Sequence, residues 1–351
     1  MRVVGRRLTR RCLNRAGRRT YLTLFFLEHF LGPRLFNRFF ANARARNRRR
    51  MRQYFAAWPE NQVQPVREVT FLSHRDYFDN YFVESEPVVF RGAAGAWPAV
   101  KKWNLEFFAE KYPTTQAIKI DQEGLYGEGE GSRFEVTTLG KLATAMAAGE
   151  RLYLRFSPII EENPVLKDDL DMEWMRGFRS RFSVRELAQF FMAPADTHTP
   201  LHCALECNIF VQVSGRKRWT LYPPYFSSLL EPSADRRPYL HSDFVPGQPS
   251  PKFALAARAP ALQVVLEPGD VMYIPPFVWH YVENLTPTVA VGYRYHSLRA
   301  AARSSMPLLA ARLMATRPSL LHTVYYWVTR QPIFLHRPQK VSSRASQTDL
   351  A

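Results

Sequence analysis

Between residues 190 and 295 the chain is cut into eight short apolar runs, and that spacing restricts the available folds more than any other feature of the sequence. The runs are 190–193, 201–204, 209–213, 218–222, 261–266, 270–274, 280–284 and 289–295, and they are rich in Val, Ile, Phe, Tyr and Trp. Ser214-Gly215, Pro223-Pro224 and Pro268-Gly269 fall between them. Branched and aromatic runs bounded by Gly and Pro read as strands. Many short strands at close spacing need a barrel or a two-sheet sandwich to bury their faces.

The flanks add helices, so the expected class is mainly β with flanking helices (α+β). Upstream, Ser73 can cap a short helix to about residue 81, and 87–91 (P-V-V-F-R) reads as a buried strand closed by Gly92. Asn104 caps a helix over 105–112, 116–121 reads as a strand, and 123–131 is a Gly- and Glu-rich loop. Thr138 begins a helix through 148, and a strand covers 152–156. From 298 to 328 apolar residues recur at helical spacing, as expected of helices that close the molecule or pair two copies of it. The tail from 337 to 351 is polar and is expected to be disordered. The boundaries implied are an Arg-rich arm over 1–53, a domain over 54–297, a helical segment over 298–336 and the tail.

Chemistry concentrates in two blocks. One is Thr199 to Pro224, T-P-L-H-C-A-L-E-C-N-I-F-V-Q-V-S-G-R-K-R-W-T-L-Y-P-P. The other is Leu266 to Glu283, L-E-P-G-D-V-M-Y-I-P-P-F-V-W-H-Y-V-E. With P-V-V-F-R-G-A-A-G-A-W-P-A-V-K-K-W upstream, they resemble the JmjC and cupin-like family that includes the asparaginyl hydroxylase acting on hypoxia-inducible factor. The resemblance covers about 210 of the 351 residues. It implies a double-stranded β-helix (jelly-roll) and an Fe(II)- and 2-oxoglutarate-dependent oxygenase, a hydroxylase of a protein side chain or a small molecule.

In that family a His-x-Asp pair and a distant His hold Fe(II) on one face. His202 and His280 occupy the two histidine positions, whereas the family's Asp is replaced by Ala204. Alanine binds no metal. Four outcomes are open: Glu206, which strand alternation projects to the face of His202 and Ala204, reaches back as substitute ligand; the site stays open to chloride or water, as in non-haem iron halogenases; Cys203 or Cys207 ligates, against strand alternation; or catalysis is lost and the barrel serves as a binding or interaction module. On the cosubstrate side the resemblance assigns Lys217 and Thr199 to 2-oxoglutarate and Asn208 to the pocket lining. Arg294 is a further anion contact beside Gly292, where the hydroxylase relative carries a polar residue. Without the family, Lys217 reads as one member of the exposed basic turn Arg216-Lys217-Arg218. His241-Ser242-Asp243 repeats the His-x-Asp spacing, but lies in a Pro- and Gly-rich insertion and lacks the T-P-x-H approach. His198 shares a strand face with His202, roughly 13 Å away.

The formal charge of +17 is localised. Residues 1–53 hold sixteen Arg, no Lys and one acid, Glu28, a net of +15 that leaves +2 for the rest. The apolar run 21–31 is broken by Glu28 and His29 and is too short to span a bilayer. Four readings of the arm compete: a solvated or domain-packing helix, contact with an anionic membrane surface through Phe25, Phe26, Phe30, Phe36, Phe39 and Phe40, an organelle-targeting peptide, and, less favoured, nucleic-acid binding. Cys12, Cys203 and Cys207 form no C-x-x-C pair and no disulfide framework, so a reducing, cytoplasmic setting is expected, peripheral to a membrane if the arm binds one.

Overall fold

The computed structural model describes residues 12–314 apart from 32, 72, 120–134 and 233–239. The loop expected at 123–131, the helical segment beyond 314 and the tail therefore lie outside the described residues. Two sheets face each other. One has six strands in the order β1 (Val63–Pro65), β12 (Ala261–Leu266), β10 (Lys217–Tyr222), β14 (Trp279–Asn284), β8 (Thr197–Cys203) and β11 (Leu240–His241). The other has seven: β2 (Arg67–Val69), β3 (Val88–Phe90), β13 (Val271–Ile274), β9 (Cys207–Ser214), β15 (Thr288–His296), β7 (Val184–Ala193) and β6 (Leu154–Ser157). Two packed sheets are what the strand spacing requires, and their arrangement is the jelly-roll, a double-stranded β-helix, that the resemblance implies. A separate hairpin joins β4 (Gln116–Lys119) to β5 (Glu135–Thr138).

Consecutive core strands alternate between sheets: β8 and β10 lie in the first, β9 in the second. Alternate side chains of both sheets therefore meet in the middle, where Phe191, Phe210, Trp219, Leu221, Val264, Met272, Val282 and Ala290 form the inner core. Tight turns permit the crossings. Gly215 has φ 70°, and a Cβ there would lie 1.9 Å from the Pro287 carbonyl oxygen, so the Ser-Gly turn admits no side chain. Asp270, in L-E-P-G-D, ties the upstream segment to the barrel by accepting from the amides of Gly92 and Glu267 and pairing with Arg91 at 2.5 Å.

Helices cover the outside. α1 (Arg18–Leu31) and α2 (Pro33–Phe55) form a hairpin at the N-terminus. α3 (Leu105–Lys111) is capped by Asn104, and α4 (Leu139–Ala147) by Thr138, as expected. α5 (Leu298–Met314) bends at Ser305 and Pro307 and buries Ala301, Leu308 and Leu309 in the cluster on the outer face of the six-stranded sheet. From residue 12 on, the segment read as an arm packs with the domain. Leu13, Ala16, Met51 and Phe55 are buried with Leu201, Tyr222, Phe244 and Trp279 on the outer face of the six-stranded sheet. Arg48 pairs with Glu231 at 2.6 Å and Arg44 with Glu28, fixing the hairpin by charge. Phe25 and Phe36, assigned on sequence to a membrane face, are instead buried within it.

Candidate active site within the barrel

Strand register brings the two motif blocks together. β14 runs antiparallel to β8 with His280 opposite His202, so both imidazoles point to one face, and a register shift then places Val282 opposite Thr199. The two rings lie 4.1 Å apart between centroids, and His280 stacks toward Trp219 at 5.6 Å. Nδ1 of each ring meets the carbonyl two residues earlier, Pro200 for His202 and Val278 for His280, both at 2.9 Å. Nδ1–H is therefore the donor, and the lone pair of each neutral ring sits on Nε2, the form a metal ligand needs. Burial, helped by the positive charge of Arg294, drives both imidazoles downward, His280 to about 4 and His202 well below the ordinary histidine value; His280 and Arg155 act further on His202.

Ala204 follows directly after β8. Its carbonyl accepts from the Phe277 amide at 2.7 Å, which pins the I-P-P-F turn preceding His280 against the end of the His202 strand. Phe277 adopts φ 62°, a left-handed conformation that this contact and the two preceding prolines hold in place.

The expectation for Glu206 needs correction. Residues 204–206 form the bend between β8 and β9, so strand alternation does not bring Glu206 to the face of His202. Its carboxylate lies 4.0 Å from His296 Nε2. Although burial alone raises its pKa, the fields of His296, Arg294 and Arg312 outweigh it and hold the carboxyl below its ordinary value. Cys203, at the end of β8, and Cys207, at the start of β9, are buried in two different apolar clusters, apart from the histidine pair. Among the described residues no group of three His, Cys, Asp or Glu side chains is gathered to hold a metal ion. His241 stands directly opposite His202 on β11 without making such a group. His198 packs its ring on Tyr281 at 5.4 Å.

Of the residues that the resemblance assigns to the cosubstrate, Lys217 and Thr199 come together, and Tyr153 joins them. Lys217 is fully buried while Arg218 turns outward to Glu283 at 3.5 Å, so alternation along β10 takes Lys217 out of the basic turn and into the barrel. Its Nζ donates to the Tyr153 hydroxyl at 3.4 Å, and the Thr199 hydroxyl donates to the same oxygen at 3.1 Å. Tyr153 carries no motif signal: it reads only as one residue of an upstream strand, and the barrel's closure brings it here. Burial lowers the Lys217 pKa, with Tyr153 opposing. Burial alone raises the Tyr153 phenol, but Lys217, the Thr199 hydrogen bond and Arg155 outweigh it and the net shift is downward. No carboxylate pairs with Lys217 among the described residues.

Asn208 and Arg294 form a second group on the opposite sheet, side by side on β9 and β15. Both are buried, and the Arg294 guanidinium lies 5.1 Å from the Phe156 ring. Gly292 faces Gln189, which is fully buried; a Cβ at Gly292 would come within 3.0 Å of Phe191 and 3.3 Å of Asn208 Oδ1. Glycine thus leaves room between these polar groups that a side chain would fill.

A test of fit follows from these contacts. A buried ammonium and two hydroxyls, with no protein carboxylate among them, suit one carboxylate of a dicarboxylate such as 2-oxoglutarate. For a divalent metal the chain offers two imidazoles of the correct tautomer and no carboxylate, in the field of Arg155 and Arg294. The residues fit a two-histidine centre and do not fit a facial triad of two histidines and a carboxylate.

Residues 74–300 match the family described as a cupin-like domain. The chain is 27% identical over 237 residues to lysine-specific demethylase JMJ30 of Arabidopsis thaliana, covering 65% of this chain and 54% of that protein. It is 27% identical over 223 residues to lysine-specific demethylase 8 of Xenopus tropicalis, covering 61% and 49%. It is 35% identical over 135 residues to HSPB1-associated protein 1 of Homo sapiens, covering 36% and 27%. The matched region spans about half the length of the two demethylases or less of the third protein. With the jelly-roll, the paired His202 and His280 and the buried Lys217 in one barrel, the chain belongs to the JmjC/cupin-like family.

Proposed function

We propose that this chain is a 2-oxoglutarate-dependent oxygenase with a metal centre reduced to two protein ligands, His202 and His280. The family is one of Fe(II)- and 2-oxoglutarate-dependent oxygenases. The observation that carries the proposal is the burial of Lys217 against Tyr153 and Thr199, in the same barrel interior as the histidine pair. A fully buried ammonium is costly without an anion, and 2-oxoglutarate supplies one of the right charge and shape. When bound, Fe(II) supplies the oxygen-activating chemistry of the family. The chain's own residues orient the reactants: Lys217 and Thr199 hold the distal carboxylate, the Pro200 and Val278 carbonyls fix both imidazole tautomers, and Trp219 and Phe210 exclude water. Substrates in view are a protein side chain or a small molecule. The test is succinate release from 2-oxoglutarate with Fe(II) under air, compared with Lys217→Ala; no succinate and no 2-oxoglutarate binding would refute the proposal.

A second reading rests on Ala204 together with Arg155 and Arg294. A site lacking its carboxylate and bordered by two guanidiniums favours anions over divalent cations, as a 2-oxoglutarate-binding interaction module without turnover requires. A halogenase-like open iron site draws on the same features, with chloride as the anion. Binding of 2-oxoglutarate without succinate release selects the module; succinate release that depends on chloride selects the open site.

A further inference from the structure

We infer that the N-terminal helical hairpin docks the protein onto an anionic phospholipid surface through the outward face and leading end of α2. α2 contains eight Arg and no acidic residue. Its buried side runs through Phe36, Asn47, Met51 and Phe55 at helical spacing, which turns Leu35, Arg38, Phe39, Arg46 and Arg49 outward. Leu35 and Phe39, one turn apart, are 45% and 64% exposed, and Leu31, at the end of α1, is 38% exposed. Large apolar side chains at the turn of a helical hairpin, flanked by Arg34 and Arg38, are unfavourable in water and suit the boundary between headgroups and acyl chains.

Charge selects the occupant. The cations that hold the hairpin together have acidic partners, Arg44 with Glu28 and Arg48 with Glu231. No carboxylate among the described residues pairs with Arg38, Arg46 or Arg49. A second copy of this face would bring like charges together. Nucleic-acid phosphates would satisfy the arginines but leave Leu35 and Phe39 without a role, whereas a bilayer carrying anionic lipid takes both. No helix among the described residues is long and apolar enough to cross a membrane, so contact at the surface is the arrangement this hairpin offers.

The test is co-sedimentation of the full chain with phosphatidylcholine vesicles with and without phosphatidylserine. Because Leu13, Met51 and Phe55 are part of the core, point variants are used rather than a deletion. Leu35→Ser with Phe39→Ser alters exposed positions only, and an unchanged thermal melt verifies the fold. Binding is expected only with phosphatidylserine, weaker by about tenfold in that double variant and by about fivefold for each of Arg46→Gln and Arg49→Gln. Three results would overturn the inference: no binding to either vesicle; binding that survives the apolar double variant and vanishes with salt; or tighter, salt-labile binding to duplex DNA that is indifferent to Leu35 and Phe39, which would identify a phosphate tether.

Discussion

Replacing Lys217 by Met should move ligand affinity and protein stability in opposite directions. Met is unbranched and of similar length, so it fills the same channel between Tyr153 and Phe210 without opening a cavity. The ammonium is fully buried, it carries three protons, and it donates to the Tyr153 hydroxyl at 3.4 Å. Removing an incompletely satisfied buried cation should stabilise the ligand-free protein by about 1–3 kcal/mol. The same change deletes the charge-assisted contact to a carboxylate, worth about 1.5–3 kcal/mol, so 2-oxoglutarate should bind roughly 10- to 150-fold more weakly. The sign of the pH effect follows from burial. The native Lys217 pKa lies below its unfolded value, so the unfolded chain binds more protons between the two, and the parent gains stability as pH rises through that alkaline window. The advantage of the Met variant should therefore shrink toward high pH. Thermal melts across that range and titration calorimetry with 2-oxoglutarate in the absence of metal measure both effects. A variant that is less stable than the parent and binds 2-oxoglutarate unchanged would refute the assignment and make Lys217 a structural residue.

Other outcomes follow from the same geometry. Ala204→Asp should tighten Fe(II) binding in an anaerobic titration, and in the parent Fe(II) binding should depend on prior 2-oxoglutarate, a dependence the variant loses at least in part. His202 and His280 are buried neutral with depressed pKa values, so the stability they lend is present above the ordinary histidine value near 6.5 and is lost as pH falls toward about 4; His202→Gln with His280→Gln should flatten the acid limb of a denaturation profile. Phe55→Ala, at a fully buried position where α2 meets the barrel, should cost about 3–5 kcal/mol in urea denaturation, whereas an autonomous arm would leave barrel stability unchanged.

The barrel was legible because its signals are local. Each core strand is a short apolar run closed by a turn residue, and the observed strands differ from the expected runs mostly at their ends: 209–213 became Cys207–Ser214, and 190–193 grew backward to Val184. That growth was hidden because Arg185, Glu186 and Gln189 break the apolar pattern, although Gln189 faces the barrel and Glu186 accepts from the Tyr293 hydroxyl. β1 and β2 are short, mostly exposed strands paired in parallel, β1 with the sequence-distant β12 and β2 with β3, so no local pattern marks them. Glu206 failed for a related reason: the two-residue periodicity holds only while the strand continues, and β8 ends at Cys203. The hairpin shows the limit of composition. Its charge is visible in the sequence, but which of its phenylalanines face the barrel depends on how α1 packs against α2.

On the proposed function, the residues around the histidine pair would also set the order in which the ligands enter. Lys217, Arg155 and Arg294 contribute positive charge to a barrel whose imidazoles are neutral. The neighbouring acid, Glu206, is already engaged by the fields of His296 and Arg294. A divalent cation entering alone would meet two neutral donors and a repulsive field, with no carboxylate to offset the loss of its hydration shell. A dicarboxylate entering first would neutralise Lys217 and could offer the anionic group that Ala204 does not. In a facial triad the protein's own carboxylate performs that compensation, so metal binding does not require the cosubstrate. If the proposed two-histidine centre holds, alanine at the Ala204 position would transfer the charge balance from the chain to its ligand, and metal occupancy of this barrel would rise with 2-oxoglutarate concentration.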